Sequence, residues 1–77
     1  LRVAPNPMGD LAVLHVSGPL TGQHHIELVD VSGRVLRVLR PTGRTINLLR
    51  EGLGAGAYIV RLMRDDEVIG AVRVVVQ

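Results

Sequence analysis

Residues 24–40 read HHIELVDVSGRVLRVLR, two apolar runs on either side of Asp30-Val31-Ser32-Gly33-Arg34. Gly33 accepts a positive φ at little cost, and Asp30 or Ser32 can hydrogen-bond to nearby backbone groups, so this segment predicts a hairpin turn. A helix competes over 35–40, where arginine recurs at every third residue. Between Gly33 and Pro41 there are only about seven residues, too few for a helix to offset its nucleation cost. We therefore predict two antiparallel strands joined by a turn.

Alternating apolar residues predict further strands on both sides of this hairpin, because successive side chains of a strand point to opposite faces. In the strand predicted over 24–31, Ile26 and Leu28 point inward while Glu27 and Val29 point outward. Gly18 to Gly22 is a predicted loop, rich in glycine and proline. The remaining strands are predicted over 11–17, 35–40, 45–48, 57–63 and 68–76.

The sequence Pro5-Asn6-Pro7 predicts an extended bend or an edge strand, because two prolines fix φ and remove two backbone donors. Turn signals then recur about every 8 to 12 residues, the spacing typical of a two-sheet antiparallel sandwich. The predicted fold is all-β, a small immunoglobulin-like β-sandwich of about seven short strands.

The composition predicts a single small domain, 1–77, with an aliphatic core. Hydrophobic residues make up 47% of the 77, yet there is one tyrosine and no phenylalanine, tryptophan or cysteine. Disulfides and thiolate metal sites are therefore excluded. All nine basic residues are arginine, spread from Arg2 to Arg73, and the net charge is +2. We expect no nucleic-acid binding, since basic clustering with stacking rings is missing.

Nor does the sequence predict direct membrane insertion, because no apolar run approaches the roughly 18 residues that span a bilayer. No charged-then-apolar leader opens the chain, and Leu1 is not an initiator methionine. We expect the domain to be a piece excised from a longer polypeptide.

Catalysis, metal and cofactors are not expected. A zinc site would need at least two of His15, His24 and His25 on one face, and a fourth ligand is wanting. Ser17 and Ser32 fall at turns, with no oriented base predicted beside them. The acidic run at 65–67 is predicted to be a solvated hairpin tip. The glycines of 52–56 precede a strand rather than a helix and lack a lysine, so they do not predict a phosphate cradle. We expect a protein that is not an enzyme.

Four motifs in chain order resemble the C-terminal sorting domain, type A, of cargo of the type IX secretion system. That family opens with Pro-Asn-Pro and a nearby acidic or polar residue, carries an Asp and then Gly-Arg at a hairpin, has a late Gly-x-Tyr, and closes on a valine-rich strand with a basic residue. The matching residues are Pro5, Asn6, Pro7 and Asp10, then Asp30, Gly33 and Arg34, then Gly56, Tyr58 and Arg61, and finally Arg73, Val74, Val75 and Val76.

The resemblance implies a secretion signal. Cargo of this family folds in the periplasm of a Gram-negative bacterium and is delivered to an outer-membrane translocon by its C-terminal domain. A sortase-like cysteine protease then removes the domain and joins the cargo to lipopolysaccharide, so that the cargo ends at the cell surface or is secreted. The implied partners are the translocon with its shuttle protein and the protease.

A physical hypothesis accompanies this resemblance. A small sandwich has open strand edges, which can pair with a partner by strand addition or with a second copy. We expect the strand 68–76 and the Gly33-Arg34 turn to form the surface that the transport machinery binds, and Tyr58 to fill the core. The alternative is an immunoglobulin-like spacer, or an adhesion or glycan-binding module, of a secreted protein.

Overall fold

A computed structural model describes residues 1–18 and 23–77, and within those ranges the chain forms seven strands and no helix. The predicted all-β fold is confirmed. Of the loop predicted from Gly18 to Gly22, residues 19–22 lie outside the part of the chain that the structure describes. The strands are β1 (Arg2–Ala4), β2 (Leu11–His15), β3 (His24–Asp30), β4 (Val35–Leu39), β5 (Thr45–Leu49), β6 (Gly56–Arg64) and β7 (Glu67–Val76).

Two sheets make up the sandwich. Three strands are ordered β1-β2-β5 and four are ordered β4-β3-β6-β7, and every pair of neighbouring strands is antiparallel. Residues at alternate positions of the strands meet between the sheets and exclude water. No phenylalanine or tryptophan contributes, as the composition predicts. The most deeply buried members of this aliphatic core are Met8, Ala12, Leu14, Ile26, Leu28, Leu48, Val60, Val74 and Val76.

β4 is a strand and not a helix, as predicted, and it pairs with β3 from Ile26↔Leu39 to Val29↔Val35. A bulge shifts the register between Leu28 and Val29. Val29 was predicted to face outward, and it does lie outside the core between the sheets, but it is only 3% exposed. Its two cross-strand neighbours are Val35 and Ile59, which flank it on both sides.

The amino-terminal segment contains a strand that the sequence pattern did not predict. β1 precedes Pro5 and pairs with β2 through Val3↔Leu14. Pro5, Asn6 and Pro7 then form a bend, with cis peptide bonds before both prolines. After the bend, Met8 lies parallel to Val76 at the edge of the other sheet. The bend therefore carries the chain from one sheet to the other.

Candidate functional site

The β3–β4 turn is built around the carboxylate of Asp30. One oxygen, Oδ1, accepts hydrogen bonds from the Ser32 amide (2.9 Å), the Ser32 hydroxyl (2.6 Å) and the Arg34 amide (3.0 Å). The Gly33 amide donates to the Asp30 carbonyl at 3.0 Å, and Gly33 has a φ of 93°. This is a three-residue loop that ends on a left-handed glycine, so the sequence pattern Asp-x-Ser-Gly predicts its geometry directly.

Charge at this turn is concentrated on Asp30 and Arg34. The Ser32 hydroxyl, followed by the Arg34 amide, holds the pKa of the Asp30 carboxyl below its ordinary value. The guanidinium Nε of Arg34 lies 3.5 Å from Asp30 Oδ2, yet 76% of the Arg34 side chain is exposed. The turn therefore fixes the backbone of Arg34 while leaving most of its side chain exposed to a partner.

Asn6 contacts the last strand as a strand neighbour would. Its side-chain amide donates to the Arg73 carbonyl at 2.8 Å, and its Oδ1 accepts from the Val75 amide at 3.0 Å. Met8 continues the pattern, since its amide donates to the Val75 carbonyl (2.8 Å) and its carbonyl accepts from the Gln77 amide (3.0 Å). The edge of β7 is therefore already paired from Arg73 to Gln77.

That pairing narrows the surface expected for strand addition. Val74 and Val76 are buried in the core and Val75 is half-buried, so these three valines hold the fold together. Arg73 is exposed. Before Arg73, no residue that the structure describes pairs with this edge of β7, although β1 lies close to it. Val68 and Ile69 there are 47% and 40% exposed.

Tyr58 lies in one row with residues of two other motifs, because Asp30, Tyr58 and Val74 are register partners across β3, β6 and β7. Its ring is half-buried against the margin of the core, and its hydroxyl donates to the Gly54 carbonyl at 2.7 Å. Tyr58 was expected to fill the core, but it packs only against the margin of the core, and its hydroxyl holds the β5–β6 connection to the sheet. Gly56, the first residue of β6, has a φ of 150°.

The four motifs of the sequence converge at one end of the sandwich, which we call the motif end. It contains the β3–β4 turn, the start of β6, the end of β7 and the Pro5–Met8 segment. Asp10 precedes β2 at the same end, and its carbonyl accepts a hydrogen bond from the Arg50 amide, just after β5, at 2.9 Å. Motifs at positions 5–10, 30–34, 56–61 and 73–76 of the sequence thus lie together in the fold.

A second cluster of polar side chains, His25, Glu27 and Arg61, lies on the outer face of the four-stranded sheet. Glu27 bonds to Arg61 Nη2 at 2.7 Å and to His25 Nε2 at 3.2 Å. Burial raises the pKa of Glu27, but the bonds from His25 and Arg61 outweigh it, and the net pKa is below the ordinary value. Nε of Arg61 is buried and has no partner among the described residues. Single-sequence reasoning missed this group because its partners lie on different strands.

The histidines considered as zinc ligands are divided between the two sheets. His15 is on β2 and His25 on β3, in different sheets. Among the residues that the structure describes, no three His, Cys, Asp or Glu side chains group together as metal ligands would. Ser17 and His15 line one groove with Leu1, Arg2 and Val16, but no hydrogen bond between those two side chains is present. Within the described ranges there is also no helix long and apolar enough to cross a membrane.

In comparisons with known proteins, no family model, no curated protein and no solved structure matched this chain. Function must therefore be inferred from the residues and from their arrangement at the motif end.

Proposed function

We propose that this domain is a C-terminal sorting signal of the type IX secretion system, which directs a periplasmic cargo protein to the outer-membrane translocon before a sortase-like protease removes the signal. The observation that carries the proposal is the convergence of the four motifs. Asn6, Tyr58 and Val75 belong to three different motifs, and each is held at the same end of the sandwich by hydrogen bonds or strand register. A partner that binds the folded domain, rather than a linear peptide, must contact residues from several motifs at one place.

Within the motif end, Arg34 is the residue that we expect the transport machinery to contact. Its backbone is held by the hydrogen bonds of the turn, whereas its side chain is mostly exposed. A partner carboxylate can therefore bind it with little loss of conformational freedom. Gly33, by contrast, serves the turn through its positive φ.

Reporter delivery tests the proposal. Residues 1–77 are fused to the carboxyl end of a periplasmic reporter in a bacterium that has this secretion system, and surface exposure is measured by protease accessibility. We expect delivery with the wild-type domain and at least about a tenfold loss with Arg34→Gln, since one charge-assisted bond is removed. Arg64→Gln, at the opposite end of β6, is the matched control and should deliver normally.

Removal of 72–77 would be a poor test, because it deletes buried Val74 and Val76 and so unfolds the domain. Arg34→Gln leaves every backbone bond of the turn in place. A wild-type fusion that stays in the periplasm would refute the sorting proposal, and delivery by Arg34→Gln at the wild-type level would refute the role of Arg34.

A further inference from the structure

The two lateral sides of the sandwich are closed differently. On one side, Met8 pairs with the end of β7 and β1 lies close to that strand, so the two sheets are joined by backbone hydrogen bonds. On the other side, the edge strands β4 and β5 do not pair, and no Cα atom of one lies within 8 Å of a Cα atom of the other. We call the space between β4 and β5 the seam. Neighbouring strands of a sheet are about 4.8 Å apart, so β4 and β5, which are more than 8 Å apart, cannot pair with each other. No residue that the structure describes forms backbone hydrogen bonds with the outer edge of β4.

The seam has an apolar floor. Leu39 of β4 is the register partner of buried Ile26, and Ile46 of β5 is the partner of buried Leu14, so both side chains point between the sheets. Leu53, in the connection that follows β5, packs on the same core. All three are only partly buried. The core is therefore incompletely covered along this side.

Arg37 spans the seam. Its register partner is the core residue Leu28, which places its side chain on the inner face of β4. Its guanidinium donates to three successive carbonyls at the end of β5, those of Leu49, Arg50 (2.7 Å) and Glu51 (2.9 Å). An inward-pointing charge on an edge strand discourages pairing with arbitrary strands.

The charge along this side is unbalanced. No Asp or Glu occurs between Asp30 and Glu51, whereas the same stretch contains five arginines, at 34, 37, 40, 44 and 50. Of these, Arg34 forms an ion pair; in the part of the chain that the structure describes, the other four form none. Arg44 and Arg50, like Arg37, donate to carbonyls, at 2.5 Å to Gly18 and 3.1 Å to Leu53. Carbonyls satisfy the N–H groups but leave the positive charge without a counter-ion.

We propose that the seam is a docking site for an extended acidic segment of a partner protein, which adds as a strand to β4 and exchanges the carbonyls on Arg37 for a carboxylate. Three features favour this occupant: free backbone groups on β4, an apolar floor that accepts alternate side chains, and cations without counter-ions. Because a carboxylate is a stronger acceptor for arginine than a carbonyl, Arg37 rejects neutral strands and admits acidic ones. The seam adjoins the motif end at residues 49–51, but this inference does not depend on the sorting proposal.

Peptide binding tests this inference. The probe is a capped seven-residue peptide with valine, glutamate and valine at positions 2, 4 and 6, which share one face of a strand, and with serine at the other positions. The matched probe has glutamine in place of the glutamate. Affinity is measured by fluorescence anisotropy of the labelled peptides, and the site is mapped by amide chemical shifts of the 77-residue chain. We expect the glutamate peptide to bind at least about tenfold more tightly than the glutamine peptide. The perturbed amides should be those of Val38, Ile46 and Leu48.

Two variants test whether Arg37 causes the preference for the glutamate peptide. Arg37→Gln should bind the two peptides equally, whereas Arg64→Gln, at the other end of the sandwich, should keep the wild-type preference. The wild-type comparison of the two peptides remains decisive if Arg37→Gln does not fold. No binding of the glutamate peptide at about 1 mM, equal affinity of the wild type for both peptides, or shifts confined to β7 or to a self-associated form would overturn the proposal. Reporter delivery does not enter this experiment, so its outcome is separable from that of the sorting proposal.

Discussion

The side chain of Asn6 hydrogen-bonds to the backbone of Arg73, 67 positions later in the chain, at 2.8 Å. A second bond, from the Val75 amide to Asn6 Oδ1, completes the pair of contacts that a neighbouring strand would make. One amide side chain thus substitutes for a strand at the edge of β7. Two motifs at opposite ends of the sequence are parts of a single structural unit.

Asn6→Ala should destabilise the domain by about 1–2 kcal/mol, because two hydrogen bonds are lost and the Val75 amide loses its partner. Urea unfolding followed by circular dichroism measures the loss, and faster hydrogen exchange at Val75 locates it. Asn47→Ala, on an exposed position of β5, is the control and should stay within about 0.5 kcal/mol of the wild type. Equal stability of the two variants would contradict the role of Asn6.

Gly33→Ala should cost about 1–2 kcal/mol, because alanine resists the left-handed conformation that a φ of 93° requires. Space is not the limitation, since an added Cβ would meet nothing within 4 Å. Gly43 also has room for a Cβ but no positive φ, so Gly43→Ala should be neutral or stabilising. Thermal melts of the two variants compare them directly, and a Gly33→Ala melt that matches Gly43→Ala would disprove the conformational argument.

Leu28→Ala should cost about 2–5 kcal/mol, because the side chain is fully buried between the sheets. A chain of this length has roughly 4–12 kcal/mol of stability in all, so the variant should be near its unfolding threshold. The fluorescence of Tyr58, the single aromatic residue, reports the transition. Val31→Ala, at a position 80% exposed, should unfold with the wild type. A small effect at Leu28 would mean that the core is not packed as described.

Acid should weaken the domain through Asp30 and Glu27. Both carboxyls have a folded-state pKa below the ordinary value, so the unfolded chain binds protons more readily than the folded one. The stability that they provide is complete above their unfolded-state values of about 3.9 and 4.3, and it is lost as the pH falls through the lower folded values. Melting temperatures measured from pH 6 down to about pH 2 should show this decline.

Two variants assign part of that decline to the turn. Asp30→Asn should reduce the dependence on pH, because the group no longer titrates. Ser32→Ala should raise the pKa of Asp30, since the hydroxyl is the foremost contributor to its lowering. Carbon-detected NMR titration of Asp30 measures that shift, and an unchanged pKa in Ser32→Ala would contradict the account of the turn.

The parts of the fold that depend on local chemistry were predictable. Alternation placed Ile26 and Leu28 in the core, and Gly33 with Pro41 excluded a helix between them. β1 escaped prediction because a three-residue strand contains too little alternation to be seen. The burial of Val29 depends on Val35 and Ile59, which are brought beside it by a bulge and by strand order.

Predictability was lower for the candidate sites. The motifs could be named from the sequence, but their convergence depends on long-range register. Arg37 was seen only as one of a series of arginines, since its bonds to the Leu49–Glu51 carbonyls arise from the arrangement of two sheets. Glu27 and Arg61 are 34 positions apart, and a single sequence contains no signal that pairs them.

Because Asn6 bonds to the end of β7, the domain can complete its fold only after the chain has been synthesised through Val75. During synthesis Asn6 emerges before β7, but the backbone groups to which it bonds do not exist until translation has passed Val75. A prematurely terminated product would lack the strand that contributes Val74 and Val76, and its proline bend would stay unanchored. Any machinery that binds the assembled motif end would therefore ignore incomplete chains without a separate proofreading step.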